Sequence, residues 1–482
     1  LLMLGTTQCW ADPVDLAKAR ELAASYVKTG GTPELVNNGQ SCNLRRKTKA
    51  VTTLSTTPPY YIFSRGENQG FVIVGGDDIL PEIIGYTEVG DFDGDNMPEG
   101  FRDYLYGYEM AIEKYQAYVE EYGEEAAAAV KAKMKARKAA PRRKAVTTTD
   151  LGPLMSSSWE QGWPYYDYCP WDTDNNARSL VGCVATSTSS VIHYWRNDNP
   201  RYLMTGTHAY TTWTHKLAVN PGYASGHPMK WELMQDSYGG TNYGSYNDFY
   251  TCVSELCLIV GDLVDMDYGS DGSGAQSSAQ PTALGAFNLT GTNTWYSGVN
   301  DMDTWEDMIQ GDLQQGRPIL YSGYTSDWSG HAFVLDGYRL SDGLYHIDFG
   351  WGASWKGYYA LSDCNGFNTD QSMTYLIYPK KLNLSAEITA TSFQANTNNT
   401  VTVTVQNNGT LDYTSGINLF CSTSPNQPTA WENYQVDWTT IPKGGTDVTL
   451  TFSVNPGSGD SWYLIVVDKD FHILARVKAP MT

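Results

Sequence analysis

Residues 126–146 read AAAAVKAKMKARKAAPRRKAV, and no compact core can be built from such a run. It holds eight of the chain's 32 basic residues and no aromatic side chain, a composition that favours a solvated helix ended by Pro141. The chain changes character across it. Residues 1–147 carry 18 Lys and Arg against 20 Asp and Glu, a net charge of −2, whereas residues 148–482 carry 14 against 33, a net charge of −19. A basic run of this kind is ordinarily just a helix face in water. Lying where charge and composition switch, it is also placed to be an exposed cleavage segment, and residues 126–147 are read as a basic activation linker.

The 482 residues suffice for about three domains at roughly 100–200 residues each, so a core needs no disulfide staples. With 41% hydrophobic and 13% aromatic residues, the chain is folded rather than disordered. Its formal charge of −21 repels a polyanion, which excludes nucleic acid as a partner. No stretch approaches the roughly 18 consecutive apolar residues of a spanning helix, so no membrane span is expected. Leu1-Leu2-Met3-Leu4, followed by small and polar residues to Ala11, reads as a signal peptide remnant, residues 1–11, and places the protein outside the cytoplasm, secreted or at the cell surface.

Residues 12–125 mix helix and strand. Leu16, Ala19, Ala23, Tyr26 and Val27 share a helical face, and apolar strands at 60–63 and 70–74 flank Arg65-Gly66-Glu67-Asn68. Tyr104, Tyr108, Ile112 and Tyr115 predict a helix from about 103 to 125. Residues 148–382 place helices early and Gly-punctuated strands late, at 331–336, 345–349 and 357–361, an α+β pattern. In residues 383–482, TVTVTV at 400–405 alternates strictly, Asn407-Asn408-Gly409 marks a turn, and 463–467 pairs with 471–477 about Asp468-Lys469-Asp470. This reads as an all-β, immunoglobulin-like sandwich. Asp91, Asp93 and Asp95 imitate a calcium loop, but Asn96 and Arg102 break its pattern, leaving a surface turn.

None of the eight cysteines makes the CxxC pair or Cys/His cluster of a zinc site, so no metal and no cofactor is expected. Cys252 and Cys257, in apolar CVSELCLIV, are read as buried thiols. Cys183 stands apart. Gly182-Cys183-Val184-Ala185-Thr186 opens a segment whose Val184, Val191, Ile192 and Trp195 share a helical face. The thiol therefore sits at a helix start, where free N–H groups and the positive dipole end favour a thiolate. Its bland alternative is a small core thiol.

A nucleophilic thiol needs a base. Of the seven histidines, His331 follows Ser329-Gly330 and begins the strand AFVLDG, whose rigid backbone can present an imidazole at a sheet edge. His193 lies nearly three turns beyond Cys183 and cannot reach the sulfur, so it is read as packing or solvent-facing, and His346 falls within its own strand and is read as structural. Gln161, in WEQGWP, precedes the thiol by 22 residues and can donate its amide N–H to an oxyanion beside the Cys183 N–H. In YHIDFGWG, Asp348 is placed to orient the imidazole and Trp351 to cover it from water. The loop 268–278 lacks the GK[ST] ending of a phosphate cradle. Tyr268, Gly269, Gly272, Ser273 and Gly274, with Gly330, are read as lining a cleft that takes an extended peptide, the plain surface loop being the alternative.

Together these motifs resemble the streptopain family of bacterial papain-like cysteine peptidases, whose relatives include interpain. The likeness covers YYIFSRGENQGFVIVGGDDILPEIIGY, which is similar to the family's propeptide, and GCVATS around Cys183. It continues through Met266-Asp267-Tyr268-Gly269 with Gly272-Ser273-Gly274, then HAFVLDGY followed by HIDFGWG. The resemblance implies a secreted zymogen, with an α+β prodomain (12–125) acting as intramolecular inhibitor and a papain-like catalytic domain (148–382) behind it. By position it implies Cys183 as nucleophile, His331 as general base and then acid, and Gln161 as oxyanion donor. The family usually shows a tryptophan where this chain has Phe349, in the place of papain's orienting asparagine. The orienting group therefore stays open among Asp348, Phe349 and Trp351.

The function expected is that of a cysteine endopeptidase acting on proteins or peptides through a thioester. Two other readings stand beside it: a surface-binding protein with a vestigial thiol site, and a cysteine acyltransferase or amidase on the same scaffold.

Overall fold

Alternation with a period of two decides the larger architecture. In the paired strands Ile319–Tyr324 and Gly330–Tyr338, Leu320, Ala332 and Val334 join one apolar cluster, while Ile319, Tyr321, Phe333 and Leu335 join another. Both faces of the sheet are therefore covered. The structure, a computed structural model, describes residues 13–27, 32–39, 58–139, 149–198, 201–238, 248–325, 328–361, 367, 369–389, 393–424, 434–458, 462–469 and 471–479. The expected signal segment, residues 1–11, the end of the basic run, 140–147, and Asp470 of the last hairpin's turn lie outside the described residues. The chain divides into two compact units, Leu1–Tyr378 and Pro379–Thr482.

Among the described residues the first unit is built on a ten-stranded antiparallel sheet. Its order is Glu34–Asn37, Tyr60–Ser64, Phe71–Gly75, Ile83–Thr87, Gly357–Tyr359, Tyr345–Asp348, Gly330–Tyr338, Ile319–Tyr324, Thr369–Tyr375 and Thr292–Trp295. Four strands precede the basic run and six follow it, so one sheet crosses the point where composition changes. At the seam Tyr86 lies opposite Tyr358 and Gly85 opposite Tyr359. A Cβ at Gly85 would stand 2.2 Å from the Tyr359 ring, so the two strands approach this closely only because position 85 has no side chain.

One face carries the helices Cys183–Tyr194 and Asp248–Leu263, which bury Val184, Val191, Ile192, Val253, Leu256 and Ile259. The other carries Glu99–Tyr122, through Phe101, Tyr104, Leu105 and Tyr108, and Met302–Gln314, through Trp305, Ile309 and Leu313. The first of these begins four residues before the aromatic periodicity predicts, because Pro98 supplies the N-cap and Glu99-Gly100 add no apolar signal; it stops at Gly123, φ +83°. A second helix, Glu124–Ala139, takes up the start of the basic run. Ala127 is buried and Lys131 pairs with Asp78 at 2.7 Å, so this end of the run is docked rather than loose. None of the described helices is long and apolar enough to cross a membrane.

The second unit is all-β among its described residues. Leu384–Thr389, Asn399–Asn407 and Val448–Val454 form one sheet, and Tyr434–Asp437, Ile417–Ser422, Tyr463–Val467 and Ile473–Lys478 another. The alternation at 400–405 does what the pattern predicts: Val401, Val403 and Val405 are buried with Leu419, Leu464 and Val466 in a shared core.

Candidate active site

Cys183 is the first residue of its helix, entered through Gly182 at φ +86°. A Cβ on Gly182 would meet Met266 Sδ at 2.6 Å and the Ser273 carbonyl at 3.0 Å, so the loop 266–274 passes directly over the helix start. The sulfur is partly buried, which pushes the thiol pKa up, while the N–H groups of Ala332, Val184 and Cys183 itself face it and pull the other way. Ala332 is the neighbour of His331. A thiol and a histidine 148 positions apart in sequence thus meet one strand. Gln161 is brought to the same place by its carbonyl, which accepts from Val181 N–H at 3.2 Å.

His331 is buried in an aromatic box. Its ring stacks on Trp351 with centroids 4.5 Å apart, and Phe367, Phe333 and Phe349 stand at 5.2, 6.1 and 6.2 Å. Nε2 lies 2.8 Å from the Phe349 carbonyl. A carbonyl only accepts, so Nε2 carries the hydrogen and Nδ1 is left as the basic nitrogen. Burial away from water pushes the imidazole down to about 4. His331 packs with the Phe333 cluster and Cys183 with the Ala332 cluster, on opposite sides of the strand. Accordingly, no hydrogen bond joins sulfur and imidazole among the described residues.

Two sequence expectations need correction. Asp348 does not touch His331: it lies opposite Val334 in register, and neighbours in register share a face, so its carboxylate leaves the sheet on the side away from the imidazole. Its Oδ1 accepts from Gly350 N–H at 2.9 Å and its Oδ2 lies 3.5 Å from Lys356 Nζ. The orienting contact comes instead from the Phe349 main chain. Tyr268 is fully buried beneath the loop, so it supports the cleft without facing it.

The rest of that loop is pinned from two sides. Ser273 Oγ donates to Leu180 O at 2.7 Å and accepts from Gly269 N–H at 3.0 Å. Asp172 Oδ2 accepts from Ser270 N–H and Oγ, and its Oδ1 from Asp174 and Asn175 N–H. Gly272 and Gly274 are exposed above this anchor, and Gly330 is exposed at the start of the His331 strand. Asp172, Asp174 and His215 offer ligand atoms within 4.8 Å of one another, but the hydrogen bonds already made by Asp172 explain its burial as a loop staple. Of the two histidines set aside as bases, His193 is buried against Trp159 and so packs instead of facing solvent, and His346 is buried in contact with Asp336 at 2.5 Å.

Residues 159–359 match the peptidase C10 family, and residues 11–112 match the family described as Spi protease inhibitor. The stretch that holds Cys183, His331, Asp348 and Trp351 thus carries a peptidase C10 family domain, and the segment before it an inhibitor-family match. It is 28% identical over 411 residues to the thiol protease/hemagglutinin PrtT of Porphyromonas gingivalis, an alignment that covers 79% of this chain and 43% of that protein. It is 29% identical over 354 residues to streptopain of Streptococcus pyogenes serotype M1, covering 64% of this chain and 78% of the relative. The chain thus spans less than half the length of PrtT.

The inhibitor-matching segment reaches the histidine's surroundings in the C10-matching domain. A Cβ on Gly100 would stand 2.4 Å from the Trp351 indole, and the Phe101 ring lies 5.9 Å from Trp351 and 6.3 Å from Phe349. Sequence reasoning found Trp351 but not its partner helix start, nor the main-chain groups of Phe349 and Ala332. Backbone donors and acceptors are the same at every position and leave no trace in composition; the glycine at 350, which takes φ +72°, is the one signal that could have pointed to a special backbone there.

Proposed function

We propose that this chain is a cysteine endopeptidase made as an inactive precursor and working outside the cytoplasm. Residues 12–125 serve as prodomain, 126–147 as activation linker, 148–382 as papain-like catalytic domain and 383–482 as an immunoglobulin-like sandwich. The observation that carries the reading is the placement of the Cys183 sulfur at a helix start beneath the N–H of Ala332, one residue from His331. The match to the peptidase C10 family and likeness to two thiol proteases support it.

Chemistry follows from the atoms. With Nε2–H held by Phe349 O, Nδ1 takes the thiol proton; the thiolate attacks the substrate carbonyl carbon, and the oxyanion is held by the Cys183 N–H and the Gln161 amide. Collapse breaks the C–N bond as Nδ1–H gives its proton to the departing amine, leaving a thioester. Water then attacks that thioester, its proton going to Nδ1, and the acid and the free thiol are released. Trp351 keeps bulk water off the imidazole. Here both groups are held neutral, the thiol pushed up and the imidazole pushed down, and they are not joined. That is the state of a precursor with Phe101 against the histidine's aromatic box. Maturation must bring the sulfur within reach of Nδ1 with Nε2–H still on the Phe349 carbonyl. Substrate backbone runs past Gly272, Ser273, Gly274 and Gly330, while Gly269 is buried with its N–H on Ser273 Oγ and its carbonyl on Leu180 N–H, and so anchors the loop instead of lining the cleft.

Cys183→Ala tests the proposal: peptide hydrolysis by the processed protein should fall by on the order of 10⁶-fold with an unchanged melting temperature. Undiminished cleavage of a peptide substrate by that variant overturns it.

A further inference from the structure

Asp348 has a use that its distance from His331 conceals. Its Oδ1 accepts from Gly350 N–H at 2.9 Å, and His331 Nε2–H donates to Phe349 O at 2.8 Å. Phe349 C=O and Gly350 N–H belong to one peptide group. The carboxylate therefore grips one end of a rigid plane whose other end holds the imidazole. We propose that Asp348 is a positioning residue for His331, acting through the Phe349–Gly350 peptide group, and that its charge favours the imidazolium form. The inference rests on reading Cys183 and His331 as the reacting pair.

Three features of the site are arranged around that peptide. Gly350 stands at φ +72°, where a side chain is disfavoured, and a Cβ there would meet Thr186 Cγ2 at 3.1 Å; the turn is thus wedged against the Cys183 helix. Asp348 is buried, so it needs a counter-charge, and Lys356 Nζ supplies one at 3.5 Å from Oδ2. Lys356 is itself fixed by donating to Met155 O at 2.9 Å and Ser157 O at 2.8 Å. The other titratable groups that bear on Asp348 are the Asp336–His346 pair on the adjoining strands. A carboxylate held for packing alone would be replaceable by a neutral isostere; one aligned with the dipole that accepts from His331 is not, because an anion behind the peptide stabilises the cationic ring and a neutral amide does not.

The test uses the full chain, processed after expression, with Asp348→Asn and Asp348→Ala. Two quantities are read against pH: kcat/KM on a peptide substrate and the alkylation rate of Cys183 by iodoacetamide. Asp348→Asn keeps an acceptor for Gly350 N–H and loses the charge. Its melting temperature should fall by a few degrees as Lys356 loses its counter-charge, while the alkaline limb of kcat/KM moves down by about 0.5–1 pH unit and the alkylation rate near neutral pH falls several-fold. Asp348→Ala should show the same shift and a further loss of about tenfold in kcat, which the Asn variant restores. Should the Ala variant fail to mature, the isosteric Asn variant decides alone. Profiles that superimpose on wild type overturn the relay, provided that His331→Ala reduces the alkylation profile to a single rise set by the thiol alone. If His331→Ala leaves that profile unchanged, the pairing of Cys183 with His331 is overturned and the relay falls with it.

Discussion

The Trp351 indole lies against the His331 imidazole at 4.5 Å with planes 22° apart, and the same indole is met by Gly100 from the inhibitor-matching region. One aromatic plate therefore connects the N-terminal region to the imidazole. A change in the helix that begins at Glu99 is felt at the histidine through Trp351.

Gly100→Val exploits this contact. The added Cβ would sit 2.4 Å from the indole edge, a separation that packed atoms do not tolerate, so the helix start has to lift. The full chain should lose about 1–3 kcal/mol of stability. Its Cys183 should be alkylated several-fold faster than in the unprocessed wild type. Unchanged alkylation with lowered stability would show that the plate does not control the site.

Acid should loosen the same arrangement. Burial holds His331 down to about 4 and His193 to about 3, below the ordinary histidine value of about 6.5. Each takes up a proton more readily in the unfolded chain, so stability is lost as pH falls from about 6.5 toward those values, by up to about 1.4 kcal/mol per pH unit for each ring. Buried Asp348 and Asp312, pushed up by desolvation, work in the opposite sense. Comparing full-length wild type with His331→Phe cancels them. The variant should melt with a shallower loss between pH 6.5 and 4, and equal slopes would contradict the assignment.

The parts of this site that were legible are side chains with unusual chemistry at unusual places: Cys183 at a helix start, His331 at a strand start, and Trp351 three residues past the strand Tyr345–Asp348. Alternation fixed the strands on either side of His331 and the valines of the second unit. That Asp348 makes no direct contact with His331 was not legible, because pleating turns successive side chains to opposite faces and a sequence shows neither the face nor the direction of the Phe349–Gly350 peptide between them. The seam at Gly85 and Tyr359 was invisible for another reason. It joins segments more than 270 residues apart through backbone hydrogen bonds and a missing side chain, neither of which has a compositional signature.

Gly350→Ala probes the backbone that carries the Phe349 carbonyl. At φ +72° an alanine costs roughly 1–2 kcal/mol, and its methyl group presses Thr186 Cγ2 at 3.1 Å. Relief of that strain rotates the Phe349–Gly350 plane and misdirects the acceptor of His331. Processed Gly350→Ala should keep its KM within about twofold while kcat falls at least tenfold. A fall in stability alone, with kcat intact, would mean that the imidazole is held by the aromatic box without the carbonyl.

Asp172 separates substrate binding from chemistry. Its carboxylate is buried and accepts from the N–H and Oγ of Ser270, at 3.1 and 2.8 Å, in the loop that passes over the Cys183 helix start. These bonds hold the carboxylate ionised, with its pKa well below the ordinary range. Nothing in this anchor touches the sulfur or the imidazole, so losing it frees the loop and leaves the reacting atoms where they are. Asp172→Ala should therefore raise KM for an extended peptide by roughly three- to tenfold with kcat changed less than about twofold. A control exists in Asp174→Ala, which removes an exposed carboxylate from the same hairpin without touching Ser270 and should leave both constants alone. If Asp172→Ala lowered kcat and spared KM, the loop would be shaping the transition state rather than the bound peptide.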